Sequence, residues 1–432
     1  MNVLMFGWEF PPNISGGLGT ACYGIVKGLA ACGDVNVTFV VPKIYGNEQS
    51  SNIQLIGADK ISIESETYII EENTSIRMLE IPSKLVPYLS PEGFTEKYKT
   101  PVGNNEESRT EKVQEGRKID FSGSYGPNLF EEINNYAIVA KTIAKNFDFE
   151  VIHAHDWLTF PAAIAAKHVS EKPLVVHIHS TDFDRSGGSI NQAIFDIEKR
   201  GMDEADQIIT VSNRIKTRLI EQYQVASEKI TTVYNASEPE VNENPSEIEK
   251  RGKQKIVTFL GRITIQKGPE YFVEVARLVI GRMKNVHFVM AGNGEMRNRI
   301  VELCAQYGIS DRFHFAGFLN KKEVNKMLHQ SDVFVMPSVS EPFGIVPLEA
   351  MHTNVPVIIS LQSGVSELIR NVIKTNFWDV HAMADAIHCI LKHKNLARTL
   401  ISEGKMEVNQ LSWELSGTQI RQVYLNAIKL VS

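Results

Sequence analysis

The chain has 432 residues, with 45 Lys and Arg against 51 Asp and Glu and a hydrophobic fraction of 43%. At roughly 100–200 residues per domain this length predicts two or three domains, each able to bury a core, and the composition excludes a disordered or fibrous chain. A formal net charge of -6 gives no general pull toward nucleic acid or an anionic membrane, and no apolar run approaches the roughly 18 residues that a membrane span needs.

Met1–Gly7 carries no basic segment and no small-residue cleavage site, so a cytoplasmic chain without integral membrane association is expected. Asn2–Phe6, Val35–Val41, Val151–Ala154, Leu174–His179 and Gln207–Val211 are β-branched or apolar runs that predict buried strands of a parallel sheet. Helical patterns such as Thr20–Ala31 and Ile133–Asn146 lie between them. The alternation predicts an α/β fold of βαβ units, doubly wound in the Rossmann manner. From Glu92 to Asp120 there are seven acids and six bases but only five large apolar residues, which predicts a mobile insertion at about 92–120. Glu238–Gln254 is polar, contains Pro239, Pro245 and Gly252, and is expected to link two domains.

Beyond it strands are expected at Lys255–Leu260, Val286–Ala291, Arg312–Ala316, Val333–Met336 and Val355–Ile359. Helices are expected near Pro269–Met283, Glu295–Tyr307, Lys321–Gln330, Ile345–His352, Val380–Lys392 and Trp413–Leu430. The resulting division is 1–240, 241–410, and a terminal helix at 411–432 returning to the first domain. Open parallel sheets bind ligands outside the C-terminal ends of their strands, so two such domains would share a cleft.

Four groups of residues carry chemistry. Gly16, Gly17 and Gly19 precede a helix, where backbone N–H groups and the helix dipole favour phosphate; a tight strand-to-helix turn explains the same glycines. Arg262 and Lys267 share one loop between Gly261 and Gly268 and could grip a diphosphate from two sides, the alternative being a solvated surface pair. Glu341 and Glu349 straddle a helix start whose free N–H donors would be those of Gly344, Ile345 and Val346. Two such carboxylates could accept hydrogen bonds from two sugar rings, or be ordinary helix-start acids. His153, His155, Asp156, His177 and His179 close two strands, but neither H-x-H has a third ligand at a short spacing. One histidine of each pair is expected to be packed and the other exposed, and no metal is expected.

In this order and context, the motifs resemble the retaining nucleotide-sugar glycosyltransferases of the GT-B fold, including glycogen and starch synthases. Ser15-Gly16-Gly17-Leu18 is similar to their glycine loop, His155-Asp156-Trp157 to their H-D-W motif, and Pro337 to Met351 to the segment holding their paired glutamates. The resemblance implies two Rossmann-like domains facing a central cleft. It implies that Arg262 and Lys267 stabilise the leaving diphosphate, with Gly16 and Gly17 closing over it. Glu341 and His179 would contact the donor sugar and Glu349 the ribose, while Asp156 and His155 would lie toward the acceptor. It further implies transfer of glucose from ADP- or UDP-glucose to an α-glucan by front-face substitution, the nucleotide sugar serving as co-substrate and no cofactor being required. Leu158, Asn13, Ile14, Phe343 and Ser363-Gly364-Val365 depart from the glycogen-synthase pattern. They leave open a GDP-sugar donor, a lipid, cell-envelope sugar or small acceptor, and a nucleotide-sugar epimerase of the same architecture.

Overall fold

The computed structural model describes residues 1–14, 16–48, 54–63, 117–239 and 254–431. Most of the expected insertion (residues 92–116) and of the expected linker (residues 240–253) lies outside the described residues.

Two parallel sheets organise the chain. The first joins β1 (Asn2–Phe6), β2 (Asn36–Val41), β3 (Gln54–Gly57), β6 (Val151–His155), β7 (Leu174–Ile178), β8 (Gln207–Thr210) and β9 (Ile230–Thr232) in the order β3-β2-β1-β6-β7-β8-β9. The second joins β10 (Lys255–Leu260), β11 (Val286–Ala291), β12 (Phe313–Gly317), β13 (Val333–Met336), β14 (Val357–Ser360) and β15 (Ile373–Thr375) in the order β12-β11-β10-β13-β14-β15. A short antiparallel pair, β4 (Ser62–Ile63) with β5 (Arg117–Lys118), stands apart from both. Helices cover both faces of each large sheet, so central strands are buried on both sides; every residue of β6 and β7 is buried.

In both sheets the strand that opens the domain is central, and the order reverses beside it, between β1 and β6 and between β10 and β13. Loops diverge at such a switch point and leave a crevice at the C-terminal strand ends. Gly16 and Gly17 follow β1 and Asp156 follows β6; Arg262 and Lys267 follow β10 and Glu341 follows β13. The topology alone therefore brings these residues to the two crevices.

The edge strands β3, β9 and β15 were not expected from sequence. Each has three or four residues, too few to show a period. At the chain's end, the Trp413–Val431 helix packs on the Gly17–Ala31 helix of the first domain. A Cβ on Gly28 would stand 1.9 Å from the Trp413 carbonyl oxygen, and one on Gly417 2.2 Å from the Gly28 carbonyl carbon. Only glycine admits so close a backbone crossing. One apolar cluster runs between the domains, from Trp157 and Ile178 to Met336, Phe343 and Val365. No helix among the described residues is long and apolar enough to cross a membrane.

Candidate active site

The second domain's half of the site begins where β10 ends. Ile265–Lys267 forms a single 3-10 turn that stops at Gly268, whose φ of 65° is left-handed. A Cβ there would lie 2.1 Å from the Pro337 carbonyl oxygen, so Gly268 lets the Lys267 turn lie directly on the loop after β13. Gly292 and Gly294 support the same turn from below, because Cβ atoms there would meet the carbonyl oxygens of Gly261 (1.9 Å) and Ile263 (2.3 Å). The Ile263 N–H donates to the Asn293 carbonyl at 2.9 Å. Sequence reasoning missed this Gly-Asn-Gly loop, although it directly follows an expected strand. Arg262 is half-buried on the loop that leads from β10 into the turn.

Glu341 is buried, and its carboxylate forms an ion pair with Lys267. The Ser338 hydroxyl donates to the same Oε2 at 3.3 Å. The backbone of Glu341 is also anchored: its N–H donates to the Gln362 carbonyl (3.0 Å), and its carbonyl accepts from the Gly364 N–H (2.9 Å). Gly344 takes φ 103°, which turns the chain into the helix. That helix is Val346–His352, with Pro347 in its first turn, and thus starts one residue later than expected; Ile345 is its cap. Glu349 lies in the first turn, half-buried.

The glycines of the first domain divide into two kinds. Gly19 is a packing glycine, since a Cβ would stand 2.3 Å from Ile14. Gly16 and Gly17 are exposed, and a Cβ on either would find nothing within 4 Å among the described residues. Gly16 is extended, at φ -172°. Neither φ nor crowding from the described residues requires glycine at Gly16, and Gly17 is likewise uncrowded. The Gly19 N–H one turn in is already taken by the buried Glu9 carboxylate at 3.3 Å, so the donors left to an anion are those of the Gly16–Gly17 end.

The histidines form one buried group. The register pairs His155 with His177, and alternation places His153, His155, His177 and His179 on one face of the sheet. The Tyr424 hydroxyl lies 2.6 Å from His153 Nδ1, and His155 Nδ1 lies 2.9 Å from His179 Nε2. All four are buried, so the expectation of an exposed partner in each pair is corrected: the Trp413–Val431 helix, coming from the far end of the chain, brings Tyr424 over this face. Burial pushes His153 and His179 down to about 3, and also lowers His155 and His177. These rings are neutral at neutral pH. Asp156, at φ 57°, accepts the backbone N–H groups of His179 (2.7 Å) and Ser180 (3.3 Å). Burial pushes its carboxyl up to about 7 against the opposing pull of Arg185 and these donors. His155 and Asp156 thus face inward, where they hold the end of β7.

A third metal-ligand candidate does exist, supplied by neighbouring strands and invisible to a search along the chain. His153, His155 and His177 bring ligand atoms within 4.8 Å of one another, as do Cys22, His155 and His179. Within these groups His153 stacks on His177 at 8°, whereas His155, common to both, is tilted 39° to His153, 32° to His177 and 42° to His179.

The two halves meet. The Ser212 hydroxyl donates to the Pro342 carbonyl at 2.7 Å, and the N–H groups of Asn213 and Arg214 donate to the Glu367 carboxylate at 2.8 Å each. The C-terminal strand ends of the sheets therefore face one another, with Lys267 and Glu341 in one wall and the exposed Gly16–Gly17 helix start, Glu9 beside it, in the other domain.

Known families match this architecture in two pieces. Glycosyltransferase Family 4 matches residues 98–241, and glycosyl transferases group 1 matches residues 240–407. An uncharacterized glycosyltransferase of Methanocaldococcus jannaschii is 28% identical over the full length of both chains. A glycogen synthase of Mycobacterium tuberculosis is 24% identical over 99% of this chain and 95% of its own. Among solved structures, sucrose-phosphate synthase from Thermosynechococcus elongatus superposes with a TM-score of 0.73 at 18% identity, covering 99% of each chain. Anabaena HepE, in complex with UDP and glucose, gives 0.69 at 16% identity over 99% of this chain and 100% of its own. With both domains matched in order and the facing parallel sheets in place, the chain belongs to the GT-B glycosyltransferases.

Proposed function

We propose that the protein is a retaining hexosyltransferase that moves glucose from ADP- or UDP-glucose to an α-1,4-glucan. The observation that carries this reading is the Lys267–Glu341 ion pair on the loops flanking the second switch point, with Arg262 on the same loop as Lys267. A nucleoside diphosphate entering there competes with Glu341 for the Lys267 ammonium. Once displaced, the Glu341 carboxylate is available to the donor sugar's hydroxyls, so binding of donor phosphate and donor sugar is coupled. Arg262, Lys267 and the N–H groups at Gly16–Gly17 stabilise charge on the departing phosphate. Glu349 takes the ribose hydroxyls, the N–H groups of Gly344, Ile345 and Val346 face the donor, and neutral His179 stands near the reacting carbon. Asp156 serves the acceptor side by setting the backbone of His179 and Ser180, with His155 behind it. Front-face attack then transfers the sugar, the leaving phosphate taking the acceptor proton. Two side-chain cations and backbone amides supply the countercharge, so the scheme needs no metal.

The similarity to glycogen synthase over nearly the whole chain supports the glucan acceptor. Incubation with radiolabelled ADP- and UDP-glucose and glycogen is expected to place α-linked label in the polymer with at least one donor. Nucleotide release with a lipid or small-sugar acceptor but none with glycogen would replace the acceptor. No release with either donor would sink the reading.

A further inference from the structure

We propose that Asp184 is a positioning residue of the transfer reaction, which fixes the Glu341 loop of the second domain to the His179 loop of the first through the hydroxyl of Ser340. The proposal rests on the donor-site reading only for its kinetic consequence. Asp184 is completely buried, and a buried carboxylate needs partners on both oxygens. Oδ2 accepts the N–H of Thr181 (3.0 Å) and its hydroxyl (2.8 Å), which closes the loop that begins at His179. Oδ1 accepts the Ser340 hydroxyl at 2.8 Å and pairs with Arg218 of the Asn213–Tyr223 helix. The bond thus joins Asp184 to a residue 156 positions away.

The position of Ser340 gives this link its significance. It directly precedes Glu341, and Pro342, which directly follows, accepts the Ser212 hydroxyl at 2.7 Å. Glu341 is therefore flanked on both sides by links to the first domain. The loop on the other side of Asp184 is braced as well. Arg185 donates to the Ser180 carbonyl (3.2 Å) and hydroxyl (2.7 Å) and pairs with buried Glu198. Glu198 in turn accepts the Asp182 N–H at 3.0 Å. A braced loop can set the position of the loop it holds; a loose one cannot. The Asp184–Ser340 bond is thus the link that ties the Glu341 loop directly to the loop of His179, the two residues assigned to the donor sugar, while the Ser212–Pro342 bond holds the other flank to a different loop.

The test compares wild type with Ser340→Ala, which removes the link, and Ser340→Thr, which keeps a hydroxyl. Asp184→Asn is a weaker probe because it also disturbs Arg218 and can impair folding. The first readout needs no substrate. Hydrogen exchange is expected to accelerate in Ser340→Ala at both 179–185 and 337–345, with Lys255–Leu260 unchanged. With UDP- or ADP-glucose, kcat is expected to fall about 10-fold with donor KM within about twofold, as a small misplacement of a reacting group does. Ser340→Thr is expected to restore both. Unchanged exchange at 179–185, or an undiminished kcat in Ser340→Ala, would overturn the proposal. A wild type inactive with both donors would instead count against the donor reading and leave the exchange result to decide on the link.

Discussion

Lys267→Ala is expected to lower kcat by about 100-fold or more, the scale of losing one donor that stabilises developing charge. Two losses combine. The leaving phosphate loses a cation, and Glu341, buried and paired with Lys267, is left with Ser338 as its side-chain contact. Arg262→Ala is expected to act on the same scale, because in the proposed site a forked guanidinium and an ammonium on one loop would hold the diphosphate from different sides. Steady-state kinetics separates this from simple weakening of binding. An interaction made in the transition state lowers kcat and kcat/KM together, whereas uniform binding raises KM alone. Unchanged turnover in both variants would remove the diphosphate assignment.

The second large effect is on stability. The fold is expected to lose stability steeply as pH falls below about 6.5, because four histidines are buried with lowered affinity for protons. His153 and His179 drop from 6.5 to about 3, so between those values the unfolded chain binds more protons than the folded one. Their contribution is complete above 6.5 and is lost as pH falls toward 3. At about 1.36 kcal/mol per pKa unit it reaches about 4–5 kcal/mol for each. Asp156 opposes them. Raised from 3.8 to about 7, it contributes fully below 3.8 and loses that contribution as pH rises toward 7. One carboxyl offsets only part of four imidazoles. Calorimetry from pH 7.5 to 4.5 is expected to show the melting temperature falling, and His177→Leu is expected to flatten the slope, because neither His177 nitrogen has a hydrogen-bond partner among the described residues. A melting temperature constant over this range would refute the assignment.

Central strands were legible in the sequence because burial on both faces writes itself as an unbroken apolar run. β1, β10, β11 and β13 keep the bounds expected of them. The shortest edge strands, such as β9, were not, because three residues pairing on one side carry no pattern, whereas the five-residue edge strand β12 was legible. The same limit applies to the candidate site. Gly16, Gly17, Arg262, Lys267 and Glu341 stand at strand ends, where local chain order already hints at their place. The pairing of Lys267 with Glu341, the histidine group and the Asp184–Ser340 link are made between distant strands and domains. Their contacts follow from sheet register and strand order, which one sequence does not display. Asp156 shows this most clearly. Its motif is visible along the chain, yet its inward carboxylate depends on a left-handed backbone and on the neighbouring strand's N–H groups.

The proposed donor site requires that the Arg262–Lys267 loop, backed by Glu341, receive a nucleoside diphosphate. Thermal denaturation of wild type and of the Arg262→Ala/Lys267→Ala double variant, titrated with ADP, UDP, GDP and their glucose conjugates, tests it most directly. A ligand that binds only the folded state stabilises it by mass action, by about 2.7 kcal/mol at a hundredfold excess over Kd. The melting temperature of wild type is expected to climb with at least one nucleotide and that of the double variant to stay level. An equal rise in both proteins, or none in wild type with any of them, would contradict the account.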